Sequence, residues 1–177
     1  TLGRQDQQIG VLGLVEAVTF SFMQASHAAP FGGTNPKLAL ANPISADLDY
    51  MRPSIVPNLA NAARRNADRG WPDSALFEVG PIFHDPSETG QRIVATCVRA
   101  GAAVGRHWGQ AARNVDAFDA KADALALLQQ LGLSVENVAV AREAPGWFHP
   151  GRSGALKLGP KTVLAWFGEL HPSALKA

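Results

Sequence analysis

From Asn42 to Phe83 the chain reads NPISADLDYMRPSIVPNLANAARRNADRGWPDSALFEVGPIF, and within it the apolar spacing changes from helical to extended. Ser54 stands where a helix cap belongs, with Ile55, Val56 and Pro57 in the first turn, where the N–H that proline lacks leaves no bond unmade. Ile55, Leu59, Ala62 and Ala63 recur at i, i+4, i+7 and i+8, which predicts one apolar face. Arg64, Arg65 and Arg69 fall in the last turns, where cations suit the helix dipole. Gly70 stops the helix and Pro72 follows. The run Leu76–Phe83 then predicts a strand. A helix and a strand this close in sequence are expected to pack together, as a site or as a scaffold.

The flanking sequence supplies more strands than helices. Residues 1–13 carry a weak helical pattern with Leu2, Ile9 and Leu12 on one side. In Glu16–Met23, Val18, Phe20 and Phe22 alternate with Thr19 and Ser21, the period of a half-buried strand. A polar stretch, Phe31–Lys37, leads to the short run Leu38–Leu40. After Phe83, HDPSETGQR reads as a turn, so Leu76–Phe83 and Ile93–Val98 are expected to pair as an antiparallel hairpin. Gly101–Gly109 is a loose passage holding His107 and Trp108. Asp116 opens a second helix, with Asp119 at a capping-box position and Gly132 at its end. Ala120, Ala124, Leu127, Leu128 and Leu131 form its inward face. Ser153–Leu158 and Thr162–Gly168 flank Gly159-Pro160-Lys161, a hairpin signature. Strands interrupted by two strong helices predict a single α+β domain over residues 1–177, built on an antiparallel or mixed sheet.

Composition narrows the function classes. Hydrophobic residues make up 46% and charged residues 18%, which places the chain among globular domains. The net charge of +1 gives no overall electrostatic footprint for nucleic acid, so any RNA contact must be local or come through a partner. No apolar run reaches membrane-spanning length. One cysteine, Cys97, cannot form an internal disulfide; a reducing compartment follows, and its apolar neighbours predict a small buried residue in place of a nucleophile. The polar start TLGRQDQQIG reads as internal to a longer polypeptide.

Few residues point to chemistry. The histidines at 27, 84, 107, 149 and 171 do not meet another ligand type at a metal-binding spacing. Gly151-Arg152-Ser153-Gly154 lacks the lysine of a phosphate loop and the pattern of a nucleophile elbow, and reads as a tight turn before a strand. Trp147-Phe148 beside His149 and Arg152 could stack a base or hold a phosphate, or could anchor a loop while His149 satisfies backbone groups. Arg64, Arg65 and Arg69 could meet RNA or an acidic partner, or form a solvated helix end. Asp47 and Asp49 belong to the polar turn before the helix.

Four pieces, taken in order, carry a family resemblance. They are Asn42-Pro43-Ile44-Ser45 with Met51-Arg52 and the helix Ser54–Asn66; Leu76-Phe77-Glu78-Val79-Gly80-Pro81-Ile82-Phe83; His149-Pro150-Gly151-Arg152-Ser153-Gly154; and Gly168-Glu169-Leu170-His171-Pro172. The chain resembles the catalytic-like core domain of the bacterial phenylalanyl-tRNA synthetase beta subunit. That resemblance implies a class II aminoacyl-tRNA synthetase-like antiparallel sheet flanked by helices, cytoplasmic localisation and an alpha subunit as partner in a two-alpha, two-beta enzyme. It also implies that alpha, using ATP and magnesium, activates phenylalanine, and that tRNA is reached through the holoenzyme. The family's amino-terminal tRNA-binding, editing, magnesium-associated and anticodon-binding-like domains are not matched by these residues.

Class II enzymes end a strand in Phe-Arg-x-Glu, whose arginine holds the ATP phosphate with a permanent cation and a planar donor fork. Phe83-His84-Asp85-Pro86 occupies that place here, so histidine replaces the arginine and proline replaces the glutamate. The expectation is therefore a non-catalytic structural and subunit-interaction domain, with no catalytic, cofactor or metal residue of its own. Arg52, Arg64, Arg65, Asn66, Arg69, His149 and Arg152 are the candidate contacts to a partner or RNA. The alternatives are a free-standing paralogue that forms an adenylate through His84, and a direct tRNA-binding module.

Overall fold

Alternate residues of one long strand face two different helices, and this sets the architecture. The computed structural model describes residues 13–105, 108–109 and 111–176. Apart from Gly13, the helix expected over residues 1–13 lies outside the described residues, as does His107.

The described elements run β1 (Val15–Glu16), β2 (Phe22–Met23), α1 (Ala25–Ala28), β3 (Tyr50–Met51), α2 (Val56–Asp68), β4 (Ser74–Phe83), β5 (Gln91–Ala100), α3 (Ala117–Gln130), β6 (Val138–Ala141), β7 (Phe148–Leu158) and β8 (Thr162–Leu170), with short 3-10 turns between them. The strands form two three-stranded sheets, β1-β4-β5 and β6-β7-β8, and a β2–β3 ribbon. All pairings are antiparallel except β1 with β4, where Val15 faces Leu76.

The central helix and strand form for the reasons legible in the sequence. The Ser54 hydroxyl accepts the Val56 N–H at 3.2 Å, and Pro57 lies in the first turn. At the other end Gly70 takes a left-handed φ of 90°. Gly70 N–H bonds to Ala67 O and Trp71 N–H to Asn66 O, the paired bonds of a Schellman cap. Ile55, Leu59 and Ala63 are buried against Leu76, with Ile82, Val94 and Val98 packed around them. The odd-numbered residues of β4 point the other way: Phe77 is buried with Leu14, and Ala75, Val79 and Leu127 of α3 pack against them. The sheet is thus enclosed by α2 on one face and α3 on the other. The predicted hairpin forms over the full length of both strands, from Ser74 opposite Ala100 to Phe83 opposite Gln91.

Helix α3 begins as its sequence predicts. Asp116 accepts the N–H groups of Phe118 and Asp119, while the Asp119 carboxylate accepts the Asp116 N–H at 2.9 Å. Arg113 forks onto both Asp119 oxygens at 2.7 Å. That guanidinium, more than any other group, holds the Asp119 carboxyl at about 2, below its ordinary 3.8. A carboxylate depressed on folding stabilises the fold above its unfolded value, and the stabilisation is lost as pH falls through the folded value. Asp119→Asn keeps an acceptor for the cap but not the charge. The gap in thermal midpoint between wild type and Asp119→Asn is therefore expected to be widest near neutral pH and to close between about pH 4 and pH 2. A midpoint-against-pH series measures it; a gap that persists at pH 2 would assign the effect to shape.

Several expectations are corrected. Glu16–Met23 is not one strand: β1 and β2 are separate, and Val18 (86% exposed) and Phe20 (69%) face solvent while Thr19 points inward. The alternation is real, but its polar set faces the protein because Thr19 joins a buried ion pair there. Cys97 is exposed on edge strand β5, not buried. Protein atoms still crowd its sulfur, and this desolvation, with the Asp123 carboxylate second, pushes the thiol up to about 11, so it stays protonated near neutral pH. Leu131 is exposed past the end of α3. Gly151–Gly154 lies inside β7, at a register shift between Phe148 and Ser153, and is not a turn before it.

Candidate functional site

Arg52 is a candidate contact residue that the structure places inside. It is 1% exposed, between β3 and α2, and its charge is met by Glu78 of β4, itself 4% exposed. Arg52 Nη1 donates to Glu78 Oε1 at 2.7 Å and to Thr19 Oγ1 at 3.0 Å, and Nε donates to Pro81 O at 2.8 Å. Thr19 closes the ring by donating to Glu78 Oε2 at 2.6 Å. The Arg52 backbone joins the same layers, its N–H bonding to Ser21 O and its carbonyl accepting the Phe83 N–H, both at 3.0 Å. Burial of this order removes Arg52 from the surface contacts to a partner or RNA. It acts as an internal tie among the residues 17–21 segment, β3 and β4.

The guanidinium needs room, and Gly80 supplies it. A Cβ at Gly80 would meet Arg52 Nη2 at 2.5 Å. The tip of an arginine normally swings aside from such a contact. Here it is pinned by Glu78, Thr19 and Pro81.

Beyond the tie, β4 ends at Phe83 and the chain turns through residues 84–90. His84 is exposed, and its backbone N–H bonds to Gly90 O at 2.9 Å while its carbonyl accepts Asn35 Nδ2 at 3.0 Å. Asp85 Oδ1 accepts the Ser87 N–H at 2.8 Å and the Ser87 hydroxyl, which hold its carboxyl below the ordinary range. Ser87 Oγ in turn accepts the Gly90 N–H at 3.2 Å. A Cβ at Gly90 would overlap Asp85, so the turn closes tightly on itself. The Asp85 carboxylate is engaged internally, while Glu88 on the same turn is exposed. Among the described residues, no three His, Cys, Asp or Glu side chains gather where they could hold a metal ion.

The remaining candidates fall in two places. Arg64, Arg65 and Arg69 are exposed at the C-terminal end of α2, with Asn66 half-buried beside them. His149 and Arg152 lie on β7, away from that helix in sequence and element. His149 Nδ1 accepts the Gly151 N–H at 3.1 Å, and its carbonyl accepts the Ser153 hydroxyl at 2.7 Å. Arg152 Nε pairs with Glu169 Oε2 at 3.1 Å. Trp147 packs 5.9 Å from Phe31 between ring centroids, and its carbonyl accepts the His171 N–H. These bonds are those of a loop anchor.

An exposed apolar edge was not read from the sequence. Val18 and Phe20 are exposed on the segment after β1, and Val15 is 65% exposed on β1 itself. Asn58 of α2 holds that segment by donating to Phe20 O at 3.1 Å. The signal that could have found it was Thr19: an alternating run with a polar residue on its buried side has its apolar set free for something else.

Comparison with known proteins places this geometry. A family model described as the phenylalanyl tRNA synthetase beta chain CLM domain matches residues 5–177. Phenylalanine–tRNA ligase beta subunits are similar to the chain: that of Paramagnetospirillum magneticum is 56% identical over 169 residues, covering 96% of the chain and 21% of the relative. That of Rhodospirillum rubrum is 54% identical over 163 residues, covering 92% and 20%. The chain thus spans about a fifth of the length of the curated relatives it matches. In fold it is similar to a Desulfitobacterium hafniense pyrrolysyl tRNA synthetase, PylSc, with a TM-score of 0.68 at 15% identity, over 99% of the chain and 59% of that structure. A second structure of that synthetase gives 0.62 at 17%, over 97% and 60%. The α2–β4–β5 unit is therefore that of a class II synthetase-like fold, and the chain belongs to the phenylalanyl-tRNA synthetase beta-chain CLM-domain family.

Proposed function

We propose that this chain is a structural and subunit-interaction domain of phenylalanine–tRNA ligase that forms no aminoacyl adenylate itself. The observation that carries the reading is the turn after β4. At the place where class II enzymes present a phosphate-binding arginine, the chain has His84, followed by Asp85, whose carboxylate is bonded to Ser87. Transition-state stabilisation of phosphoryl chemistry needs a fixed cation at that place, and residues 84–90 contain no arginine or lysine. The fold remains while those groups are replaced.

The partner is an alpha subunit, as the beta-chain family and its beta-subunit relatives imply. The exposed side chains of Val18 and Phe20 are the surface offered to it in this reading. ATP, magnesium and tRNA enter through the holoenzyme in this reading. The test is direct. The chain alone is expected to give no phenylalanine-dependent pyrophosphate exchange and no heat on titration with ATP, and to co-purify with its alpha subunit. An ATP heat that vanishes in His84→Ala would overturn the non-catalytic reading in favour of a free-standing adenylate-forming enzyme.

A further inference from the structure

Residues 17–21 form neither helix nor strand, yet neighbouring elements hold them at several points. The Ala17 N–H bonds to Phe77 O at 2.8 Å, and the Thr19 hydroxyl lies between Arg52 and Glu78. The Phe20 carbonyl accepts Asn58 Nδ2 at 3.1 Å, and the Ser21 carbonyl accepts the Arg52 N–H at 3.0 Å. What these bonds leave free are two apolar side chains, Val18 and Phe20, both exposed. One of the anchors is made at a cost to the fold. The Asn58 side-chain oxygen is buried and has no hydrogen-bond partner among the described residues. A buried acceptor left unpaired is destabilising by at least as much as a typical exposed hydrogen bond stabilises. Asparagine is also a poorer helix former than alanine. Stability therefore does not account for asparagine at 58; holding the Phe20 carbonyl does.

We propose that Asn58 and Thr19 are positioning residues of the partner surface: they fix residues 17–21 before docking, so that Val18 and Phe20 meet the alpha subunit already in place. The inference rests on the reading that these two side chains face that subunit. Association must order every side chain and loop that an interface immobilises, and a segment ordered beforehand avoids that loss. Thr19 sets the facing. Its hydroxyl accepts from Arg52 and donates to Glu78, which turns it inward and the residues on either side of it outward. Asn58, in the first turn of α2, fixes the backbone at Phe20. Both act through the segment and not by being the apolar surface themselves.

The experiment uses the complete polypeptide and its alpha subunit, with association measured by analytical ultracentrifugation. Hydrogen exchange in α2 and β4 reports the stability of the domain, and exchange in residues 17–21 reports the order of the segment. Asn58→Ala should leave exchange in α2 and β4 as slow as in wild type or slower, because it removes the unpaired oxygen and improves the helix. It should nonetheless speed exchange in residues 17–21 of the free polypeptide and weaken association about fivefold. Thr19→Val should speed the same exchange and weaken association about tenfold, and Thr19→Ser, which keeps the hydroxyl, should restore both. A purely structural role would move association only in step with stability. If Asn58→Ala binds as wild type does, or weakens binding only as exchange in α2 and β4 accelerates, the inference is overturned. It is likewise overturned, with the partner surface left standing, if Thr19→Val binds normally while Val18→Asp with Phe20→Asp does not bind. Normal association of that double variant would overturn the surface reading and this inference with it.

Discussion

Arg52→Met is expected to destabilise the domain by about 3–5 kcal/mol, the penalty for stranding a buried charge after its partner is removed. At about 3 °C per kcal/mol for a domain of this size, the thermal midpoint should fall by on the order of 10 °C. The cost does not come from the attraction between Arg52 and Glu78 as such, since desolvating both ions offsets most of that gain. It comes from what remains: a Glu78 carboxylate 4% exposed with Thr19 as its one remaining side-chain donor, and a Pro81 carbonyl left without the guanidinium. Two outcomes are therefore coupled. The double variant Arg52→Met, Glu78→Leu should be more stable than Arg52→Met alone, because the stranded charge is gone. A denaturant-unfolding cycle on the four proteins decides the matter. Additive effects would mean that Arg52 contributes through packing alone and that the ion pair is incidental.

Introducing charge at the exposed edge should have a comparably large effect on assembly and almost none on folding. Val18→Asp with Phe20→Asp places two carboxylates on apolar side chains that already face water, so the unfolding midpoint should stay within about 0.5 kcal/mol of wild type. If this edge enters the interface with alpha, each residue lies in a patch that must be dry in the complex. Central apolar anchors of that kind are worth about 2 kcal/mol or more apiece. Together the substitutions should weaken association on the order of a thousandfold. Analytical ultracentrifugation of the mixed subunits measures it. Unchanged association would move the interface elsewhere on the fold, and a destabilised variant would show that the side chains are less free than their exposure indicates.

The helix, the hairpin and both caps of α2 were legible because each has a local cause. Ser54, Pro57 and Gly70 act within a few residues of themselves, and the β4–β5 pairing follows from two apolar runs joined by a polar turn. The capping box of α3 is equally local. What the sequence hid depends on partners far along the chain. Thr19 reverses the facing of its segment because Glu78, distant in sequence, awaits it. Cys97 looks internal by its neighbours, yet it lies on an edge strand. Strand β6, short and unremarkable in sequence, exists because β7 offers it an edge, with Val140 opposite Leu156. The family resemblance located the missing phosphate-binding arginine at His84. It did not reveal that Arg52, in the motif piece just before α2, is a buried tie.

The close fit of Gly80 beneath the Arg52 guanidinium makes the two positions one unit of inheritance. Alanine at 80 is ruinous while the guanidinium is pinned, and it becomes an ordinary strand residue once the side chain at 52 is short. A mutational scan that changes one residue at a time would record both positions as intolerant and miss that they are conditional on each other. Any lineage that replaces this ion pair with an apolar core must lose the charges first and fill the glycine afterwards, because the opposite order passes through a chain in which backbone, carboxylate and cation compete for the same space.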